Sequence, residues 1–343
     1  MNKKSASLNL TGGGGRGYLS ICLLENIINL SNMTFAEFMS MFGTITGTSI
    51  GGIIALALAY GKTLDEIKPL FTKGKRIFTT SPTEDNKRVS FLDKLKGTLL
   101  NNAWYSSPST YSLLPDNQKY GHLLLYDLLD QFFGNSTMAN LKKKVVITAF
   151  RASNKQFIMF SNYNDPTYFT YNNELIKDVA KATSAAPFYL PSVTIDNKVY
   201  QDGGLGVNDP VEMGIILNSV IDSNSRDIFS LNISTGLGLF SFTEQDQEGN
   251  STYLLFQIFD LIGTIMAGSE LYANYKLSIL NDRLASSFYT KDNYFKNYRA
   301  QPKYIGELDD CSDASMVAMK NLADDYCTRE AANIKTFINN LKA

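Results

Sequence analysis

Gly47-Thr48-Ser49-Ile50-Gly51, inside the run GTITGTSIGGIIALALAYG, leaves this chain few folds to choose from. A β-branched segment from Thr44 to Thr46 enters a glycine. A single serine follows, and then a strongly apolar, helix-forming run from Ile53 to Ala59. The pattern reads as strand, sharp turn and helix, with Ser49 at the apex. A strand feeding directly into a buried helix is the building unit of α/β architecture. A nucleophile on such an elbow holds strained backbone angles, so small residues must stand two positions before and after it, here Gly47 and Gly51. Its hydroxyl then clears the sheet and faces the amino end of the helix, where free N–H groups and the helix dipole favour developing negative charge. The same letters suit a plain Ser/Gly turn before a buried helix, so the elbow alone assigns no chemistry.

A second glycine cluster lies upstream. Ser7 to Thr11 reads as a short strand and Tyr18 to Leu30 as a helix, with Gly12-Gly13-Gly14-Gly15-Arg16-Gly17 between them. A flexible linker would be wasted there. Gly12, Gly14 and Gly17 fit the G-x-G-x-x-G of a dinucleotide-binding loop, which makes a Rossmann-like protein one alternative. That reading needs an acidic residue about 20 residues on, at a strand end. Its candidate, Glu37, sits in TFAEFMSMF, and the next strand carries an elbow that a Rossmann fold does not require. The remaining reading is an oxyanion cradle. Glycines turn backbone N–H groups toward a bound oxygen without Cβ interference, and Arg16 could neutralise or orient the loop.

The elbow serine needs a base. His122 opens a helix, Gly121 to Phe133, whose other residues look like core. Asp209 precedes Pro210 in a loop. Asp202 follows a short strand, Val199 to Gln201, and begins Asp202-Gly203-Gly204. In isolation that is a common turn signal. At the carboxyl end of a strand, however, it stands at the edge where α/β sheets gather their sites.

The 343 residues allow one large α/β domain with additions. Lys and Arg number 32 against 33 Asp and Glu, which argues against a nucleic-acid polymer as partner. Cys22, Cys311 and Cys327 show no C-x-x-C spacing and read as thiols of a reducing compartment. A single histidine argues against a His-based metal site. The longest apolar runs, Ile50 to Tyr60 and Leu254 to Met266, fall short of the ~20 residues that cross a bilayer. The expectation is a soluble, cytoplasmic protein.

Taken together, the GGGxRG loop, the TGTSIGGIIALALA elbow, the phrase ATSAAPFYLP and Asp202-Gly203-Gly204 followed by Asn208-Asp209-Pro210 resemble the patatin-like phospholipase family. The resemblance spans roughly Leu8 to Gly236. It implies a three-layer α/β fold with a central, mostly parallel sheet flanked by helices, here 1–236, and a helical extension, 237–343, packed on the same domain. It implies a lipid acyl hydrolase acting on membrane phospholipid at the membrane surface, without metal or other cofactor. Ser49 would be the nucleophile, Asp202 its lone base, and Gly13, Gly14, Gly15 and Arg16 the oxyanion hole, with Gly12, Gly17, Gly47, Gly51, Gly203 and Gly204 shaping the motifs. Many bacterial members are toxins or antiphage effectors, some switched on by cyclic nucleotides, and such an activator and an oligomeric state are compatible with this chain. Two positions depart from the family pattern. Thr11 replaces an acidic or small residue, a change expected to be neutral, and Gly15 replaces a larger residue. Phe229 to Ser234 is expected to complete the sheet. Tyr105 to Pro115 is a candidate cover, and Trp104, Tyr105, Phe240, Phe242 and Phe256 are candidates for an acyl tunnel or interfacial surface.

Overall fold

The computed structural model describes residues 4–72, 116–163, 173–187, 190–221, 227–236, 265, 268–273, 275–277, 294–303 and 311–343. The candidate cover and the five tunnel aromatics fall outside them, as does the side chain of His122.

The amino-terminal half alternates strand and helix: β1 (Lys4–Leu10), α1 (Gly17–Ser31), α2 (Phe35–Ser40), β2 (Thr44–Thr48) and α3 (Ile50–Tyr60). Two short helices follow, α4 (Leu64–Ile67) and α5 (Pro69–Thr72), divided because Pro69 has no N–H to continue the ladder. Then come α6 (Asp116–Phe133), β3 (Lys144–Arg151), β4 (Gln156–Ser161), α7 (Ile176–Thr183), β5 (Val193–Ile195) and β6 (Lys198–Asp202). The chain closes with α8 (Val211–Ile221), β7 (Asp227–Ile233), β8 (Tyr294–Ala300), α9 (Asp313–Arg329) and α10 (Ala331–Lys342).

The strands form one sheet in the order β5-β6-β3-β2-β1-β7-β8, with β4 on β3. The pairs from β3 through β2, β1 and β7 to β8 are parallel; β4, β5 and β6 join antiparallel. The expectation that Phe229 to Ser234 completes the sheet is corrected by β8. This strand lies in the stretch read as mostly helical, yet it pairs with β7 along seven residues, from Asp227 opposite Tyr294 to Ile233 opposite Ala300. The helical stretch that closes the chain is divided at Glu330. Glu330 leaves helical angles (φ −92°, ψ 7°), which lets α10 turn Phe337 onto the rings of Phe229 and Tyr298.

Successive side chains of a strand point to opposite faces. On one face Leu8, Leu10, Ile45, Ile147, Leu231 and Ile233 are fully buried. α1 and α3 pack on this side of the sheet, and burial of each such side chain is worth about 1.5–3 kcal/mol. The other face is polar though equally buried. Asn9 donates to Ser230 (3.0 Å) and Asn232 (2.8 Å) and accepts from Thr46 (2.7 Å), while Thr44 donates to Asn218 of α8. A Cβ on Gly214 would collide with the Asn9 amide, so the glycine lets α8 lie on this layer. Such a hydrogen-bonded polar network holds register, because a one-residue slip would break its bonds.

The strand ends position the site. β2 runs beside β3 as far as Thr48 opposite Thr148 and then leaves as the elbow. β4 holds the far edge of β3. β6 therefore enters antiparallel along the edge that β2 has vacated, and its last residue, Asp202, sits opposite Ala149. Two strands meet end to end along one edge of β3, and Ser49 and Asp202 are the residues at the meeting point.

Candidate active site

Ser49 has φ 55° and ψ −127°, a conformation that costs a non-glycine residue about 1–3 kcal/mol. The elbow closes so tightly that a Cβ on Gly47 would strike the backbone of Gly51 and Gly52, and one on Gly51 would strike the carbonyl oxygens of Leu10 and Thr11. Ser49 is the N-cap of α3, but its hydroxyl makes no capping hydrogen bond. A serine there ordinarily accepts from the first-turn N–H groups. Here Oγ donates instead to Asp202 Oδ2 at 2.6 Å.

Both partners are buried, Ser49 to 5% exposure and Asp202 to 2%. The other carboxylate oxygen, Oδ1, accepts the Gly204 N–H at 2.7 Å, and the Asp202 N–H donates to Ala185 O at 2.9 Å. Burial pushes the carboxyl up from its ordinary 3.8 to about 7, against the opposing pull of the hydrogen bonds from Ser49 and Gly204. A Cβ on Gly203 would collide with Thr148, so β6 can approach β3 this closely only with glycine there. Thr183 braces the serine from below. Its hydroxyl accepts the Ser49 N–H at 2.9 Å and donates to Thr148 O at 2.6 Å.

The glycine loop lies alongside. A Cβ on Gly12 would stand 3.1 Å from that of Ser49. Gly12 donates its N–H to Asn208 O at 3.1 Å, and Arg16 donates its N–H to Gly13 O at 3.1 Å. Among the described residues, the N–H groups of Gly13, Gly14 and Gly15 have no acceptor. Gly14 is left-handed (φ 57°), which glycine adopts without strain, and Gly14–Arg16 forms a single 3-10 turn leading into α1. The Arg16 side chain is buried and donates from Nε to Gly13 O at 3.4 Å, so it orients the loop from behind. A Cβ on Gly17 would meet Ile50 and Phe71, which places that glycine in the packing of α1 against α3. Thr11, expected to be neutral, accepts the Thr235 N–H at 3.0 Å and ties the end of β1 to the end of β7.

The alternatives weighed from sequence separate here. Glu37 is the third residue of α2 and completes a capping box with Thr34, donors and acceptors at 2.8–3.2 Å, so it marks no strand end where a ribose would sit. Asp209 caps α8 through the Val211 N–H and pairs with Arg299, and it does not reach toward Ser49. Sequence reasoning missed Thr183, Asn208, Thr235, Glu270 and Arg299. Thr183 lies in the quoted phrase ATSAAP, and Asn208 in the stretch after Asp202. Thr235 lies two residues beyond β7, the strand paired with β1. Nothing local marks Glu270 or Arg299.

Among the described residues, no helix is long and apolar enough to cross a membrane. The sequence profile described as patatin-like phospholipase matches residues 8–215. A cGAMP-activated phospholipase of Escherichia coli is 32% identical over 244 residues, 66% of this chain and 61% of that protein. One of Vibrio cholerae is 29% identical over 260 residues, 72% of this chain and 68% of that protein. The chain thus spans about three-fifths of the length of the Escherichia coli relative. Among solved structures, human GIVD cytosolic phospholipase A2 aligns with 98% of this chain and 59% of its own at 10% identity and a TM-score of 0.42. With the family profile matching well over half of its length, the chain belongs to the patatin-like phospholipases.

Proposed function

We propose that this protein is a lipid acyl hydrolase working through a Ser49–Asp202 dyad, with membrane phospholipid as substrate. The observation that carries the reading is the 2.6 Å hydrogen bond from Ser49 Oγ to a buried carboxylate. In the proposed reaction Asp202 takes the Ser49 proton as Oγ attacks the ester carbonyl. The N–H groups of Gly13, Gly14 and Gly15 receive the oxyanion, each such donor being worth about 3 kcal/mol in the transition state. Asp202 returns the proton to the departing alcohol, leaving an acyl-serine. Water then gives one proton to Asp202 as its oxygen attacks the acyl carbon; the bond from that carbon to Oγ breaks, Asp202 returns the proton to Ser49 Oγ, and the fatty acid is released. A carboxylate with an ordinary pKa is too weak a base for this task. One held at about 7 matches neutral working conditions. Fatty-acid release from phosphatidylglycerol/phosphatidylethanolamine vesicles by the native protein tests the reading, and release that persists in Ser49→Ala refutes it.

The raised pKa links activity and stability in opposite senses. Asp202 must be ionised to act, so hydrolysis rises with pH through about 7 and levels off above it. The unfolded chain loses this proton near 3.8, whereas the folded protein keeps it to about 7. Across that window the folded state binds more protons, so stability falls as pH rises, by up to about 4 kcal/mol over the three-unit shift. Asn at this position can still accept from Gly204 and contact Ser49 without carrying charge. Asp202→Asn is therefore expected to melt above the native protein at pH 8 and close to it at pH 4, read by calorimetry. A melting difference that is the same at both pH values contradicts the charge-burial cause.

A switch is the finer part of the proposal. It rests on the similarity to two relatives described as cGAMP-activated phospholipases. Vesicle hydrolysis is expected to rise at least tenfold on addition of cGAMP, and equal rates with and without it remove the switch while leaving the hydrolase.

A further inference from the structure

Behind the glycine loop, away from the Ser49–Asp202 pair, lies a buried charge cluster. Arg299 of β8 places Nη2 2.5 Å from Asp209 Oδ2, with a side chain only 10% exposed. The contact is an ion pair without hydrogen-bond alignment, since none of the Arg299 nitrogens is aimed at an acceptor. Its Nη1 stands 3.9 Å from Glu270 Oε1. Glu270 is itself buried. Its Oε1 accepts from Ser234 Oγ at 2.7 Å and from Gln301 Nε2 at 2.6 Å. Removing a guanidinium from such a site strands two carboxylates in a place where water cannot solvate them. A cluster this costly to keep invites the question of what it holds.

It holds Gly12 from two sides. Asp209 directly follows Asn208, whose carbonyl accepts the Gly12 N–H and whose Nδ2 donates to Gly12 O at 3.4 Å. On the other arm, Ser234 directly precedes Thr235, whose hydroxyl donates to Gly12 O at 2.7 Å. The Thr235 side chain also fills the space where a Cβ of Gly13 would stand. Both arms begin at carboxylates that face Arg299, and both end on one carbonyl oxygen. In a trans peptide the C=O of one residue and the N–H of the next point in opposite directions. Fixing the Gly12 carbonyl therefore fixes the direction of the Gly13 N–H.

We propose that Arg299 is a positioning residue for the oxyanion cradle: by holding Asp209 and Glu270 together it locks the Gly12–Gly13 peptide, so that the segment carrying β8 is a working part of the active site. The inference rests on the hydrolase reading above and adds residues beyond the 8–215 that the family profile matches. A purely structural ion pair would, if lost, lower the fraction of folded enzyme and leave each folded molecule unchanged. A positioning pair lowers turnover in the folded molecules, because misplacing a transition-state donor by about 1 Å costs on the order of 10²-fold. Ground-state binding of a small ester does not use the cradle, so KM stays put.

The test uses the full chain and p-nitrophenyl butyrate, a soluble ester that needs no lipid surface, with rates normalised to active sites counted by fluorophosphonate titration. Arg299→Gln is expected to lose about 10- to 100-fold in kcat with KM within twofold. Arg299→Lys, which keeps the charge but not the planar fork, is expected to fall between it and the native enzyme. Thr235→Val keeps the side-chain shape and removes the hydroxyl's bond to Gly12 O, together with its longer 3.5 Å contact with Thr11 Oγ1. It is expected to show the same kcat-only loss, and it decides the question if Arg299→Gln does not fold. Native kcat per active site in Thr235→Val, or in a folded Arg299→Gln, overturns the inference. Activity surviving in Ser49→Ala would instead overturn the hydrolase reading beneath it, so the two failures are distinct.

Discussion

Ser49→Ala is expected to abolish fatty-acid release, and Asp202→Asn to lower it by about 10⁴-fold. The two effects differ because the two residues do different work. Without Oγ no acyl-serine forms, and losses of about 10⁶-fold are usual for a nucleophile. Without the carboxylate Ser49 keeps its place, since the strained elbow and the Thr183 bond to its N–H remain, but no group of suitable basicity takes its proton. Losing only the base typically costs somewhat less than losing the nucleophile. The double variant is expected to be no worse than Ser49→Ala alone, because the residues act as one unit. Initial rates on phospholipid vesicles, with circular dichroism to establish folding, measure all three variants.

Gly47→Ala is the second large expected effect, and it acts through the backbone. The added methyl would meet the carbonyl of Gly51 and the Cα of Gly52, neither of which can rotate away. Overpacking of this kind costs about 1–3 kcal/mol even where side chains can yield, and here only main chain is available. Relief requires α3 to lift off β2, which carries Ser49 away from Asp202. The expected result is a melting temperature several degrees lower together with near-complete loss of hydrolysis in the protein that remains folded. A folded Gly47→Ala with native turnover would show that the elbow tolerates slack. Gly268→Ala is the contrasting control, since nothing stands within 4 Å of its Cβ position and its backbone is not left-handed.

What could be read in the sequence is what the chain states locally. The elbow shows because strand, strained turn and buried helix must follow one another within about a dozen residues, each with its own residue chemistry. The cradle shows because only glycine permits such a loop. Asp202 was legible as a strand-end carboxylate, but not the way it arrives. β6 enters antiparallel on the edge that β2 gives up at Thr48, and that choice depends on the non-local pairing with Ala149. β8 was passed over for a similar reason. YFKNYRA mixes charged, polar and aromatic residues, and only the parallel ladder with β7 makes it a strand. Glu270 and Arg299 carry no local mark, because their meaning is each other and Asp209. The polar layer of Asn9, Thr46 and Asn232 reads in sequence as interruption of apolar strands, although these three side chains are hydrogen-bonded to one another on the underside of the sheet.

The central claim is that Ser49 is the alcohol activated by Asp202. Intact-mass and peptide mass spectrometry after reaction with an alkyl fluorophosphonate test it most directly. One phosphonyl group per chain, located on the peptide carrying Ser49 and forming at least a hundredfold more slowly in Asp202→Asn, is the expected outcome. An adduct on any other residue, or labelling at an undiminished rate in Asp202→Asn, contradicts it.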